Sequence, residues 1–291
     1  MFDDFDTGIA DVNGQRINYV TSGSGPAVLL LHGFPQTHAM WHEVAKHLAQ
    51  EFTVVASDLR GYGDSSKPLG TESYSFREMA ADQSALMSAL GHTRFHLMGH
   101  DRGGRVAHRL ALDNAAAVAS LTVMDIVPTH LLLSELTKTV AAAYYHWFFL
   151  AQPYPFPEKL IGHDPDMYYE SCLLGWGAAK LSDFDPQALK AYRAAWRDAD
   201  TIRGMCADYR AALQIDYDQD AQDLDRRVTA PALVLYGADG AMAQAYDVPQ
   251  TWSDRLDKMQ AQAVPGGHFF VDQSPAETVE VLARFLKAHP I

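Results

Sequence analysis

Cysteine is almost missing from this chain. Only Cys172 and Cys206 occur among 291 residues, with neither CxxC nor metal-ligand spacing, so a disulfide scaffold or a zinc site is not expected. Both are read as buried free thiols. No apolar run is long enough to cross a bilayer, and no internal repeat or low-complexity segment occurs. Clustered positive charge is lacking as well. With 23 Lys and Arg against 36 Asp and Glu the net charge is -13, which argues against nucleic acid or an anionic membrane as partner. An anionic ligand would need a local positive pocket. The start of the chain carries Asp3, Asp4 and Asp6 where a secretory signal would be basic, so a cytoplasmic location is expected.

What is present is the texture of a soluble α/β protein, 48% hydrophobic and 20% charged. Short β-rich runs recur as RINYV at 16 to 20, AVLLLH at 27 to 32, TVVAS at 53 to 57, RFHLM at 94 to 98 and LTVMD at 121 to 125. Helical patterns at 76 to 90 and 103 to 114 lie between them, so the alternation predicts a mostly parallel twisted sheet flanked by helices. SGSGP at 22 to 26 is expected to be a hairpin turn. After Asp125 the texture becomes aromatic and helical, and strands return with PALVLYG at 231 to 237. A helical stretch through 258, a strand at 260 to 264 and a helix after Pro275 complete the expectation. The division that follows is a core domain of 1–127 and 228–291 with an inserted helical cap at 128–227.

The chemistry is concentrated at GHDRGGR, residues 99 to 105. Strand, sharp turn and helix, with Gly99 and Gly103 at GxDxG spacing, make an aspartate version of the nucleophile elbow, in which Asp101 stands where a serine is usual. A carboxylate there can displace a leaving group from sp3 carbon and then be freed by hydrolysis of its own ester. The plainer reading is a helix-capping aspartate, which would not need a glycine on each side. His268, in PGGHFF after the last expected strand, suits the general base, and the order nucleophile, acid, histidine is that of the α/β hydrolase fold. Asp125 and Asp239 both follow sheet strands, and spacing alone does not choose the acid between them. HGFP at 32 to 35 offers the Phe34 N–H as one oxyanion donor, with the Arg102 N–H as the other. Arg102 and Arg105, three apart at a helix start, could fork a carboxylate beside Asp101.

HDRGGR, DIVPT at 125 to 129, the pair His146 and Trp147, and DYRAA at 208 to 212 resemble fluoroacetate dehalogenases through nearly the whole chain. The resemblance implies that Asp101 is the nucleophile, Arg102 and Arg105 hold the substrate carboxylate, and His146, Trp147 and Tyr209 bind the departing fluoride. It favours Asp125 as the acid, with His268 as base. A homodimer working on a small haloacid without metal or organic cofactor is implied too. All three halide-site side chains are suitable donors, although HWFFL read without the resemblance would be ordinary core. Two rivals remain. An epoxide hydrolase shares the aspartate elbow and could use Tyr144, Tyr145, Tyr168 or Tyr169, but a neutral epoxide gains little from two buried guanidinium groups. A ligand-sensing protein on the same fold would be expected to have lost part of the catalytic set.

Overall fold

The apolar runs become the middle of an eight-stranded sheet. The computed structural model describes residues 1–176 and 179–291. Its strands are β1 (Asp6–Val12), β2 (Gln15–Ser22), β3 (Ala27–Leu31), β4 (Thr53–Ser57), β5 (Phe95–His100), β6 (Val118–Met124), β7 (Val228–Gly237) and β8 (Leu256–Val264). They lie side by side in the order β1-β2-β4-β3-β5-β6-β7-β8. β2 runs antiparallel to both of its neighbours, and the remaining pairs are parallel. Every residue of β3, β5 and β6 is buried, as parallel strands covered on both faces require, whereas β1 and β8 at the edges are largely exposed or half-buried.

Three expectations need correction. SGSGP does not close a hairpin, because β2 pairs with β1 and β4 while β3 pairs with β4 and β5. The hairpin lies earlier, between β1 and β2, at Asn13 and Gly14, both with positive φ, the backbone that a tight two-residue turn demands. β1 itself is a strand the sequence reading did not include. The stretch after β7 holds two short helices, Ala241–Ala245 and Val248–Trp252, and is already strand at Leu256, so helix does not run through 258.

The order of the strands decides where a ligand can sit. From β3 the chain goes to β4 on one side and then crosses to β5 on the other, so the loops leaving β3 and β5 diverge and open a crevice at their carboxyl ends. HGFP leaves β3 there, and the Asp101 turn leaves β5. Between β6 and β7 the chain is helical, including Thr129–Ser134, Lys138–Ala143, Tyr145–Leu150, Phe156–His163, Pro165–Gly175, Pro186–Trp196 and Ala199–Ala211, with no strand among the described residues. No helix among them is long and apolar enough to cross a membrane.

One polar cluster ties this helical segment to the sheet loops. Gln36, just past HGFP, donates from Nε2 to Asp272 Oδ2 at 2.9 Å and to the Tyr192 hydroxyl at 3.1 Å, and Tyr192 belongs to helix Pro186–Trp196. Burial pushes the Asp272 carboxyl up to about 7, against the hydrogen bonds from Gln36 and Tyr192. A carboxyl raised in the folded state stabilises below its unfolded pKa and loses that contribution as pH rises through about 7. Asp272→Asn is therefore expected to match the parent near pH 4 and to gain roughly 1–2 kcal/mol at pH 8.5, less than full linkage because the residue is part exposed. Thermal melts at both pH values check it, and an equal shift at both would count against the titration.

Candidate active site

Asp101 stands at φ 48° and ψ −116°, a conformation that L residues rarely hold and that packing must enforce. The enforcement comes from close approach of three backbones. A Cβ on Gly99 would lie 2.2 Å from the Gly103 carbonyl oxygen, and one on Gly103 would lie 2.3 Å from that of Leu31. Glycine is thus required on both sides of the turn. Although Asp101 precedes helix Arg102–Asp113, its side chain makes no capping hydrogen bond, so the plain capping role does not apply. Its Oδ1 instead accepts from the Phe34 N–H at 2.8 Å. Burial raises the Asp101 carboxyl, but His268, His100 and Arg102 together with that N–H more than offset it, and Asp101 is held below the usual carboxylate range.

His268 joins two carboxylates. Its Nδ1 lies 2.7 Å from Asp125 Oδ2 and its Nε2 lies 3.9 Å from Asp101 Oδ2. Asp125, itself at positive φ, also accepts from the Gly237 N–H at 2.9 Å, which fixes the carboxylate at the end of β6. Asp239 is turned away: it is exposed, and its side chain accepts from the Gly266 N–H at 3.3 Å. The structure thus brings Asp125 and not Asp239 to the histidine. His100 holds the far side of the loop, donating from Nε2 to the His268 carbonyl at 2.8 Å, and burial lowers its imidazole to about 4.

The two arginines differ in a way the sequence did not indicate. Arg102 donates from Nε to Asp208 Oδ2 at 2.9 Å and from Nη2 to Asp208 Oδ1 and to the Asp208 carbonyl, and the Asp208 charge, overcoming desolvation, holds its pKa above the ordinary arginine value. Among the described residues Arg105 donates only to neutral acceptors, the Val127 carbonyl at 3.0 Å and the Thr129 hydroxyl at 2.9 Å. Burial and then the Arg102 charge pull Arg105 below its ordinary value. Both side chains are buried, with Arg102 Nη1 and Arg105 Nε unpartnered among the described residues.

His146, Trp147 and Tyr209 gather against this pair. The Tyr209 ring meets Trp147 edge-on at 5.3 Å, His146 at 5.5 Å and Phe34 at 5.1 Å, while the Arg102 guanidinium lies 4.4 Å over Tyr209 and that of Arg105 lies 4.9 Å over Trp147. All three residues are buried, and His146 Nδ1, Trp147 Nε1 and the Tyr209 hydroxyl have no hydrogen-bond partner among the described residues. Burial lowers His146 well below its ordinary value, so its ring is neutral. Trp176 completes the wall, 4.2 Å from the His146 ring and 5.3 Å from that of His268, and its carbonyl accepts from the His268 N–H. Neither Trp176 nor Asp208 was singled out from sequence. The available signals were a tryptophan between glycines and an acid directly before Tyr209. Among the described residues no group of three or more His, Cys, Asp or Glu is placed to hold a metal ion.

Residues 26–275 match the model for the alpha/beta hydrolase fold. The chain belongs to the α/β hydrolase family. Among α/β hydrolases it is 53% identical to the fluoroacetate dehalogenase of Burkholderia sp, over 98% of this chain and 95% of that protein. Identity to the soluble epoxide hydrolase of Corynebacterium sp. (strain C12) is 31%, over 95% of each. The crystal structure of ALR0039 from Nostoc sp PCC 7120 superposes with a TM-score of 0.96 at 47% identity, covering 98% of this chain and 99% of that one.

In this α/β hydrolase, burial lowers the His268 imidazole, but the Asp125 hydrogen bond and charge, and then the Asp101 charge, outweigh it and leave the pKa above 6.5. Removing the Asp101 charge removes one of the raising terms. The His268 pKa, followed by NMR titration, is expected to lie above 6.5 in the parent and to fall in Asp101→Asn; a rise in that variant would contradict the arrangement.

Proposed function

We propose that this protein is a haloacetate dehalogenase that hydrolyses fluoroacetate to glycolate and fluoride, and chloroacetate to glycolate and chloride. One observation carries the reading. A nucleophilic carboxylate is surrounded by buried donors that no acceptor among the described residues satisfies, on Arg102, Arg105, His146, Trp147 and Tyr209. Leaving buried donors unsatisfied is costly, and a substrate that brings one carboxylate and expels one halide ion supplies acceptors for them. The 53% identical fluoroacetate dehalogenase supports the same reading.

In this scheme Arg102 and Arg105 hold the substrate carboxylate, and Asp101 Oδ2, the oxygen not engaged by Phe34, attacks the α-carbon. The carbon–fluorine bond breaks as the carbon–oxygen bond forms. Fluoride leaves with its electron pair toward His146, Trp147 and Tyr209, whose hydrogen bonds strengthen as its charge develops. His268, oriented by Asp125, then takes a proton from water, and the hydroxide adds to the Asp101 carboxyl carbon. The Phe34 and Arg102 N–H groups stabilise the oxyanion, glycolate departs with the proton that His268 returns, and the second proton of the water leaves the Asp101 carboxyl for solvent, restoring the carboxylate. In the first turnover the water oxygen stays in Asp101.

Residues 128–227 act as a cap over a core of 1–127 and 228–291, closing the pocket from water. We also read the protein as a cytoplasmic homodimer, which keeps Cys172 and Cys206 reduced and uses the apolar side chains Tyr154, Phe156, Leu160 and Met167, all exposed on two successive cap helices and the loop before them, as contact surface. Light scattering is expected to give twice the chain mass, and Leu160→Glu with Met167→Glu to give monomer.

Purified protein is expected to release fluoride from fluoroacetate at an ion-selective electrode, and Asp101→Asn to release none. Tyr209→Phe is expected to slow fluoride release by about 10- to 100-fold, and chloride release from chloroacetate by less, because fluoride depends more on hydrogen bonding as it leaves. The 31% identical epoxide hydrolase makes a neutral epoxide the right control. Diol formation without halide from either acid would replace this reading with epoxide hydrolysis.

A further inference from the structure

The unequal treatment of the two arginines has a consequence for what the pocket can bind. Arg102 is fully buried, with one edge of its guanidinium occupied by the carboxylate and carbonyl of Asp208. Asp208 is also fully buried, and its Oδ2 accepts the Tyr62 hydroxyl at 2.6 Å. Three segments meet at this one carboxylate: the core helix carrying Arg102, the loop after β4 carrying Tyr62, and helix Ala199–Ala211, in which Asp208 precedes Tyr209. What remains of Arg102 for a ligand is Nη1, unpartnered and buried. Arg105 has no ion-pair partner among the described residues.

We propose that Asp208 is a positioning residue that pins Arg102 with only Nη1 free and compensates its charge, leaving Arg105 as the net cation that restricts this site to monoanionic acids. The inference rests on the haloacid reading and refines it. Arg102 contributes direction through a fixed hydrogen-bond donor, whereas Arg105 contributes charge. A dianion would place its second negative charge near Asp101 and Asp208 with nothing left to match it. The restriction is thus electrostatic and separable from pocket size.

The test is a double-mutant cycle on the full-length protein with Arg102→Gln, Asp208→Asn and the pair, reading kcat for fluoroacetate. If Asp208 acts through Arg102, Asp208→Asn lowers kcat by about tenfold or more in the parent and changes it by less than about twofold once Arg102 is gone. Additive losses would overturn the proposal. Binding of acetate and of methylphosphonate, a dianion at pH 8.5, supplies the charge readout. The parent is expected to prefer acetate, and Asp208→Asn to shift the ratio toward methylphosphonate by about tenfold, since it uncovers one positive charge. An unchanged ratio would overturn the charge claim.

Asp208→Glu keeps the charge and serves if Asp208→Asn does not fold. It is expected to keep the parent's acetate preference while lowering kcat by moving the guanidinium, and an unchanged kcat would overturn the positioning claim. Failure of the parent itself to release halide would instead remove the haloacid reading, which separates the two.

Discussion

The candidate site turns on keeping the Asp101 carboxylate ionised in a buried position. Asp101 is buried, so desolvation works against its charge, and the protein offsets this with fixed groups: His268, His100, Arg102 and the Phe34 N–H. These come from three parts of the chain, and the charged side chains are held by partners of their own. Asp125 holds His268, Asp208 holds Arg102, and Val127 with Thr129 holds Arg105. The strained turn at Asp101 is tolerated because the backbone of Gly103 packs against the end of β3, where no side chain would fit.

The sheet and the helical segment between β6 and β7 divide this work. Sheet loops supply Asp101, His268 and the Phe34 N–H that holds the Asp101 carboxylate. The helices supply Tyr209, Trp147 and His146 with their unpartnered donors, and they also supply Asp208. Polar contacts that join the two include Arg102 with Asp208 and Gln36 with Tyr192. The first lies beside Tyr209 and the second just past HGFP, so the fit of the helical segment on the sheet and the geometry of the candidate site are one property.

Much of the site was legible because its signals are local. The elbow needs its glycines within two residues of Asp101, and a buried parallel strand needs an unbroken apolar run, so β3, β5 and the turn between β5 and its helix could be read directly. β1 was missed because an edge strand alternates weakly, with Gly8 and Ala10 where bulky residues would mark it. The assignment of a hairpin to SGSGP failed for a different reason. Turn residues announce a reversal but not the partner strand, and the true hairpin at Asn13 and Gly14 uses the same chemistry nine residues earlier.

By itself the sequence determined the class of sheet and pointed to Asp101 and to the kinds of side chain beside it, since each follows from residues close together in the chain. Tertiary structure alone brought Asp125 and not Asp239 to His268, because Asp125 and His268 are 143 residues apart and Asp239 fits the same spacing argument. It alone decided that Arg102 is spoken for by Asp208, 106 residues away, while Arg105 is not. Charge compensation in a buried site depends on which groups meet in space, and residue type records only which groups could.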